Sequence, residues 1–331
     1  MRKRVGIVFF QLGGPDKPEA VEPFLYNLFC DPDIIPLGPL GGLLRKPLAR
    51  YISRKRSQVV GQHYAEIGGQ SPIRRLTERQ ARKLEVTLAP AFDAQVFIAM
   101  RYWHPLTEQA VAEVNEAGLD ELVLLPLYPH YSYATTLSSL KEWRRLYHPE
   151  PGKPVELVID HFYDHPLYIE ALEDRIELAY SHFEHPTQAH IVFSAHGLPM
   201  SLIERGDPYQ KQIEQTVALV MERGGWPNDY TLCYQSRVGR NKWLEPPLTA
   251  TLPELVKAGK KNLLVVPLSF VTEHIETLHE INIEARELAM ALGAEQFEMM
   301  PAVGDSPRFI GALADLVLRA VGVETAQHAR V

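Results

Sequence analysis

Two short passages hold the residues best placed to do chemistry. In Phe193-Ser194-Ala195-His196-Gly197-Leu198-Pro199 a histidine directly follows an apolar, β-branched run and is itself followed by a glycine and a proline. A neutral imidazole held at such a place can accept a proton or ligate a metal. A histidine satisfied inside the core is the plainer alternative. The second passage, Phe270-Val271-Thr272-Glu273-His274-Ile275-Glu276-Thr277-Leu278-His279-Glu280, follows the strongest apolar run and opens a helical pattern. Glu276, Glu280 and Glu284 fall four residues apart, which on an α-helix stacks three carboxylates along one face. Such a row can pass protons or attract a divalent cation. An acidic, solvated face near a helix N-terminus would explain the same spacing, and spacing alone leaves both readings open. His274 and His279 are five residues apart, a poor match to the zinc motif that places two histidines on one helical face.

The elements that must position these residues alternate regularly. Strands are expected at 5–12, 95–100, 121–127 and 155–160, then at 190–195, 230–234, 262–270 and 297–301. Helical patterns fall at 19–28, 72–87, 106–116, 134–147, 166–183, 208–223, 246–258, 275–291 and 307–320. Leu122-Val123-Leu124-Leu125 and Leu263-Leu264-Val265-Val266 are apolar at every position, as strands buried on both faces must be. The two halves also share words. Trp103-His104-Pro105-Leu106-Thr107, a helix ending Ala117-Gly118 and the strand closing on Pro126-Leu127 are matched by Trp243-Leu244-Glu245-Pro246-Pro247-Leu248-Thr249, Ala258-Gly259 and Pro267-Leu268. The expected class is therefore α/β, with two similar Rossmann-like lobes, each a four-stranded parallel sheet flanked by helices. The first lobe covers 1–162 and the second, carrying His196 and Glu276, covers 163–306; helix 307–322 is a candidate to pack back on the first. Ligands of such sheets bind outside the strand carboxyl ends, so a cleft shared by the two sets of ends is the expected site.

Composition narrows the classes. The chain has 331 residues and a formal net charge of −7, with no sign of broad nucleic-acid binding. The apolar run behind Met1-Arg2-Lys3-Arg4 stops at Gln11 and a Gly-Gly-Pro turn, unlike a signal peptide. No apolar stretch approaches a bilayer span. The two cysteines, Cys30 and Cys233, cannot make a four-cysteine cluster. A cytoplasmic location is expected, and with no coiled-coil seam or interface patch a monomer is preferred.

Aromatic residues gather at other strand ends: Tyr128-Pro129-His130-Tyr131-Ser132-Tyr133 after the third strand, Arg101-Tyr102-Trp103 after the second, and Trp243 at the related place in the second half. Core packing explains each alone; together they suit a large planar apolar ligand. The segment 34–52, with Ile34-Ile35-Pro36-Leu37, Leu40-Gly41-Gly42-Leu43-Leu44 and Leu48, runs into Arg54-Lys55-Arg56. It reads as a core helix preceded by a loop, or as an apolar lid. With its basic end, 34–56 is also a candidate surface for peripheral membrane contact.

Six ordered words, spread over essentially the whole chain, resemble the ferrochelatase family. They are Gln11-Leu12-Gly13-Gly14-Pro15, Ile67-Gly68-Gly69-Gln70-Ser71-Pro72-Ile73, Arg101-Tyr102-Trp103-His104-Pro105-Leu106-Thr107, Ser194-Ala195-His196-Gly197-Leu198-Pro199, Gln235-Ser236-Arg237-Val238-Gly239 and His274-Ile275-Glu276-Thr277-Leu278. The resemblance implies a class II chelatase-like fold and insertion of ferrous iron into protoporphyrin IX or coproporphyrin III, both porphyrin and Fe²⁺ being substrates. It implies that His196 and Glu276 are the catalytic and metal-site pair. Leu12, Arg56, Tyr64, Ser71, Arg101, Tyr131 and Trp243 are then candidate porphyrin-binding positions, and Glu273, His274, Glu280 and Glu284 a supporting shell or proton path. No tightly bound cofactor is expected: members with a [2Fe–2S] cluster carry extra C-terminal cysteines, which this sequence lacks. Two rivals remain, a metal-dependent hydrolase using His196, His274 and Glu276 and a non-catalytic tetrapyrrole carrier.

Overall fold

Leu122–Leu125 and Leu263–Val266 are fully buried, and their place in the sheets explains why. The computed structural model describes residues 2–32, 34, 41–149, 154–237 and 241–323. In it β1 (Arg4–Gln11), β2 (Asp93–Met100), β3 (Glu121–Pro126) and β4 (Val155–Val158) form one sheet. β5 (His190–His196), β6 (Tyr230–Gln235), β7 (Asn262–Pro267) and β8 (Gln296–Met299) form another. The orders are β2-β1-β3-β4 and β6-β5-β7-β8, and every pairing is parallel. The second order is the first advanced by four strands, as the shared words required.

The likeness persists beyond the strands. Met100 bridges Leu106 and Tyr234 bridges Pro247, both in parallel. Met100 N–H donates to the Pro105 carbonyl as Tyr234 N–H does to that of Pro246. Leu127 N–H reaches the Phe10 carbonyl as Leu268 N–H reaches that of Ser194. Wide π-helical turns occur at the matched places Tyr133–Leu137 and Glu276–Ala285. The first runs into α5 (Ser138–Leu146) and the second into α10 (Arg286–Ala291), so the helical patterns expected at 134–147 and 275–291 are each divided.

The chain divides into two compact units: Met1–Leu127, Tyr133–Asp160 and Leu313–Val331 in one, Tyr128–Ser132 and His161–Ala312 in the other. The strand-end loop 128–132 thus belongs with the second sheet, and α11 (Pro307–Ala320) is divided after Ala312. The first unit carries α1 (Val21–Cys30), α2 (Gly41–Glu66), α3 (Ile73–Leu88), α4 (Thr107–Glu116) and α5. The second carries α6 (Pro166–Tyr180), α7 (Met200–Glu204), α8 (Tyr209–Gly224), α9 (Leu248–Lys257) and α10. Val192, Leu252, Leu263, Val265, Ile281 and Phe297 form a single core cluster, which fixes α9 and the second π-helical segment against the sheet. That burial is the main force holding the site-bearing loops in place.

One expectation is overturned. The helix at 34–52 does not belong to the core: α2 begins at Gly41 and buries only Gly41, Ala49, Ser53 and Tyr64. Leu43 is 80% exposed and Tyr51 64%, because the apolar residues lie off the narrow stripe that touches the body. Ile35–Leu40 of this segment lie outside the described residues.

The Gly13-Gly14-Pro15 and Gln70-Ser71-Pro72 words meet in space. Ser71 N–H donates to the Pro15 carbonyl at 2.8 Å, and a Cβ placed on Gly14 would lie 2.6 Å from Ser71 Cβ. Gly14→Ala is therefore expected to destabilise the protein by about 1–3 kcal/mol through overpacking, measured by denaturant unfolding with the slope unchanged.

Candidate active site

β5 ends on His196, and its imidazole turns toward the first residue of the π-helical segment. Nδ1–H of His196 donates to Glu276 Oε2 at 2.8 Å, both side chains being partly buried. A carboxylate can only accept, so the neutral ring carries its proton on Nδ1 and leaves the Nε2 lone pair free. Burial works against charge on the imidazole, but the Glu276 carboxylate and then Glu280 outweigh it and raise the His196 pKa. Burial likewise opposes ionised Glu276, yet the His196 charge and hydrogen bond hold it well below the usual carboxylate range. Each group therefore favours the charged form of the other.

β6 ends beside them. Ser236 is the one non-glycine residue among the described residues with positive φ, at 63°, a conformation that costs free energy and needs surrounding contacts to hold it. Glu280 supplies them: its carboxylate accepts the Ser236 N–H at 2.7 Å and the hydroxyl at 2.5 Å. The same hydroxyl lies 3.3 Å from Glu276 Oε2. One hydroxyl proton thus faces two carboxylates. Burial, followed by the charge of Glu276, raises the Glu280 pKa.

Over the π-helical turns the three carboxylates have different surroundings. Glu276 and Glu280 are joined through Ser236, whereas Glu284 is 53% exposed and 3.8 Å from His279. Glu273 faces elsewhere, accepting from the Thr277 hydroxyl and the Ala302 N–H, so it ties the loop after β8. His274 is buried with Nδ1 on the Thr272 carbonyl and its ring edge on Phe270. Its Nε2 has no hydrogen-bond partner among the described residues. Burial is the largest influence on that ring and lowers its pKa, keeping it neutral.

Trp243 closes over Gly197, where an added Cβ would lie 3.3 Å from the indole and 2.8 Å from the Gln235 carbonyl. Only glycine next to His196 permits that approach. Tyr131 is half-buried, and its N–H is held by Gln212.

The first unit carries the remaining expected residues. Leu12 follows β1 and accepts from Tyr102 N–H; Ser71 and Tyr64 are buried. Arg56 is exposed, its guanidinium 5.7 Å from the centre of the Phe29 ring. Arg101 is committed to buried Asp31 at 2.8 Å, and Asp31 also accepts the Tyr102 hydroxyl at 2.7 Å. Asp31 and Ser236 escaped the sequence reading as site residues. Ser236 had a signal, its place in a strand-end word; of that word Val238 and Gly239 lie outside the described residues.

Comparison with known proteins agrees over the whole length. The family described as Ferrochelatase matches residues 4–321. The ferrochelatase of Geotalea uraniireducens is 49% identical over 325 residues, covering 98% of this chain and 100% of the relative. That of Citrifermentans bemidjiense is 49% identical over 318 residues, covering 96% and 98%. Among solved structures, SirB from Bacillus subtilis with Fe3+ shares the fold at a TM-score of 0.56 and 14% identity, covering 96% of each chain. The chain belongs to the ferrochelatase family.

Proposed function

We propose that His196, partnered by Glu276, is the base through which this ferrochelatase-family enzyme inserts ferrous iron into a porphyrin. The observation that carries the reading is the 2.8 Å contact from His196 Nδ1 to Glu276, which leaves Nε2 as the proton acceptor. Two pyrrole protons must leave and the macrocycle must bend so that its nitrogen lone pairs meet the cation. Contacts at the ring periphery can supply that bending strain. Nε2 of the neutral imidazole takes a pyrrole proton, and Glu276 stabilises the imidazolium that results. The Ser236 hydroxyl and Glu280 then offer an onward path. His196 and Glu276 are also the groups we assign to meet the incoming Fe²⁺. Trp243 and Tyr131, with Leu12, Tyr64 and Ser71, are assigned to the porphyrin.

We propose protoporphyrin IX, with two propionates, over coproporphyrin III, with four, since the latter calls for more cations at its rim and Arg101 is already paired with Asp31. We also propose that α2 rests on an anionic membrane surface. Exposed Leu43, Leu44 and Tyr51 share that helix with Arg45, Lys46, Arg50, Arg54, Lys55 and Arg56, and clustered cations are what an anionic lipid surface attracts. No helix among the described residues is long and apolar enough to cross a membrane.

In an anaerobic assay with both porphyrins, His196→Ala should lower kcat by about a hundredfold or more while protoporphyrin still binds. The unaltered enzyme should prefer protoporphyrin IX by about tenfold in kcat/KM. Undiminished insertion by His196→Ala removes the base assignment, and binding without any conversion by the unaltered protein would leave only a tetrapyrrole carrier. For the membrane reading, the protein should sediment with vesicles containing phosphatidylglycerol and not with phosphatidylcholine vesicles. Leu43→Glu should weaken that binding, and so should high salt.

A further inference from the structure

The carboxyl end of β5 presents a backbone problem at the residue that matters most. Pairing of β5 with β7 stops at Ser194 opposite Pro267, and Leu268 N–H takes the Ser194 carbonyl. Two residues on, the His196 N–H and C=O point to the same side, past the end of β7. A strand edge left so inside the protein needs other partners.

Two hydroxyls supply them. His196 N–H donates to Ser269 Oγ at 2.9 Å, and the Tyr209 hydroxyl donates to the His196 carbonyl at 2.9 Å. Tyr209 and Ser269 oxygens are themselves 2.6 Å apart. Directions follow from valence: the amide cannot accept and the carbonyl cannot donate, so Tyr209 spends its one proton on His196. Ser269 must then donate to Tyr209. The result is a closed ring in which every proton has one acceptor, and bonds in such a ring polarise one another.

We propose that Tyr209 and Ser269 are positioning residues, which close a hydrogen-bonded ring on the backbone of His196 and so hold its imidazole in register with Glu276. Each is itself anchored. Buried Asp207 accepts the Tyr209 N–H at 3.0 Å where α8 begins, and it accepts the Ser132 hydroxyl at 2.9 Å. The His130 ring meets the Tyr209 ring edge-on. Ser269 sits two residues after the β7 strand end, one residue before Phe270, whose ring lies edge-on to His196. The ring thus joins β5, the loop after β7 and the start of α8 at one point.

This inference rests on His196 being the base, and its test includes a readout that does not. Tyr209→Phe and Ser269→Ala should each lower kcat for iron insertion by about tenfold, as small misplacement of a reacting group does, with the porphyrin KM steady. The double variant should lose about as much as the worse single, because either change opens the same ring. Hydrogen exchange of the His196 amide should be slow in the unaltered protein and about tenfold or more faster in Ser269→Ala. Single variants with kcat within about twofold of the unaltered enzyme, or losses that multiply in the double, overturn the positioning role. Unchanged protection of the His196 amide overturns the ring itself, whatever the fate of the His196→Ala experiment.

Discussion

The His196–Glu276 hydrogen bond is the interaction on which the remainder of the site depends. It fixes the tautomer of the imidazole and frees Nε2. It also makes His196 a stronger proton acceptor than an isolated imidazole, since burial alone would have weakened it. Glu276 is held in turn by its place at the start of the π-helical turns and by the Ser236 hydroxyl. His196 and Glu276 come from separate elements, β5 and the segment after β7, and meet only because the sheet places those ends side by side.

The parallel sheet explains the economy of this arrangement. Strands buried on both faces resist substitution and movement, while their carboxyl ends open into loops free to carry polar groups. In the second unit those ends contribute His196 from β5, Ser236 from β6, and Ser269 and Glu276 from the stretch after β7. The first unit repeats the strand order and the π-helical turn, whose first residue is Tyr133 there and Glu276 in the second unit.

Much of this could be read from residue order. Apolar runs at every position marked β3 and β7, and shared words marked the duplication. His196 and Glu276 stood out by type and strand-end position. Of the carboxylate row, Glu276 and Glu280 meet through Ser236 while Glu284 is exposed, a difference of surroundings that spacing alone does not carry. Whether the apolar residues of α2 are core or lid does not follow from hydrophobicity alone, which does not say which face meets the body. Asp31 with Arg101, and Tyr209 with Ser269, are 70 and 60 residues apart in sequence. Contacts that distant, made by ordinary residues, carry no local pattern; only the folded chain assembles them. Left-handed Ser236 is the same case, since its conformation is held by a carboxylate 44 residues away.

The most direct measurement is a nitrogen-15 NMR titration of the His196 ring in metal-free protein, beside the Glu276→Gln variant. His196 should titrate above the ordinary imidazole value near 6.5, with its neutral form protonated on Nδ1. Removing the carboxylate charge should lower that pKa. A ring that titrates at or below the ordinary value, or that is indifferent to Glu276→Gln, would contradict the coupled pair.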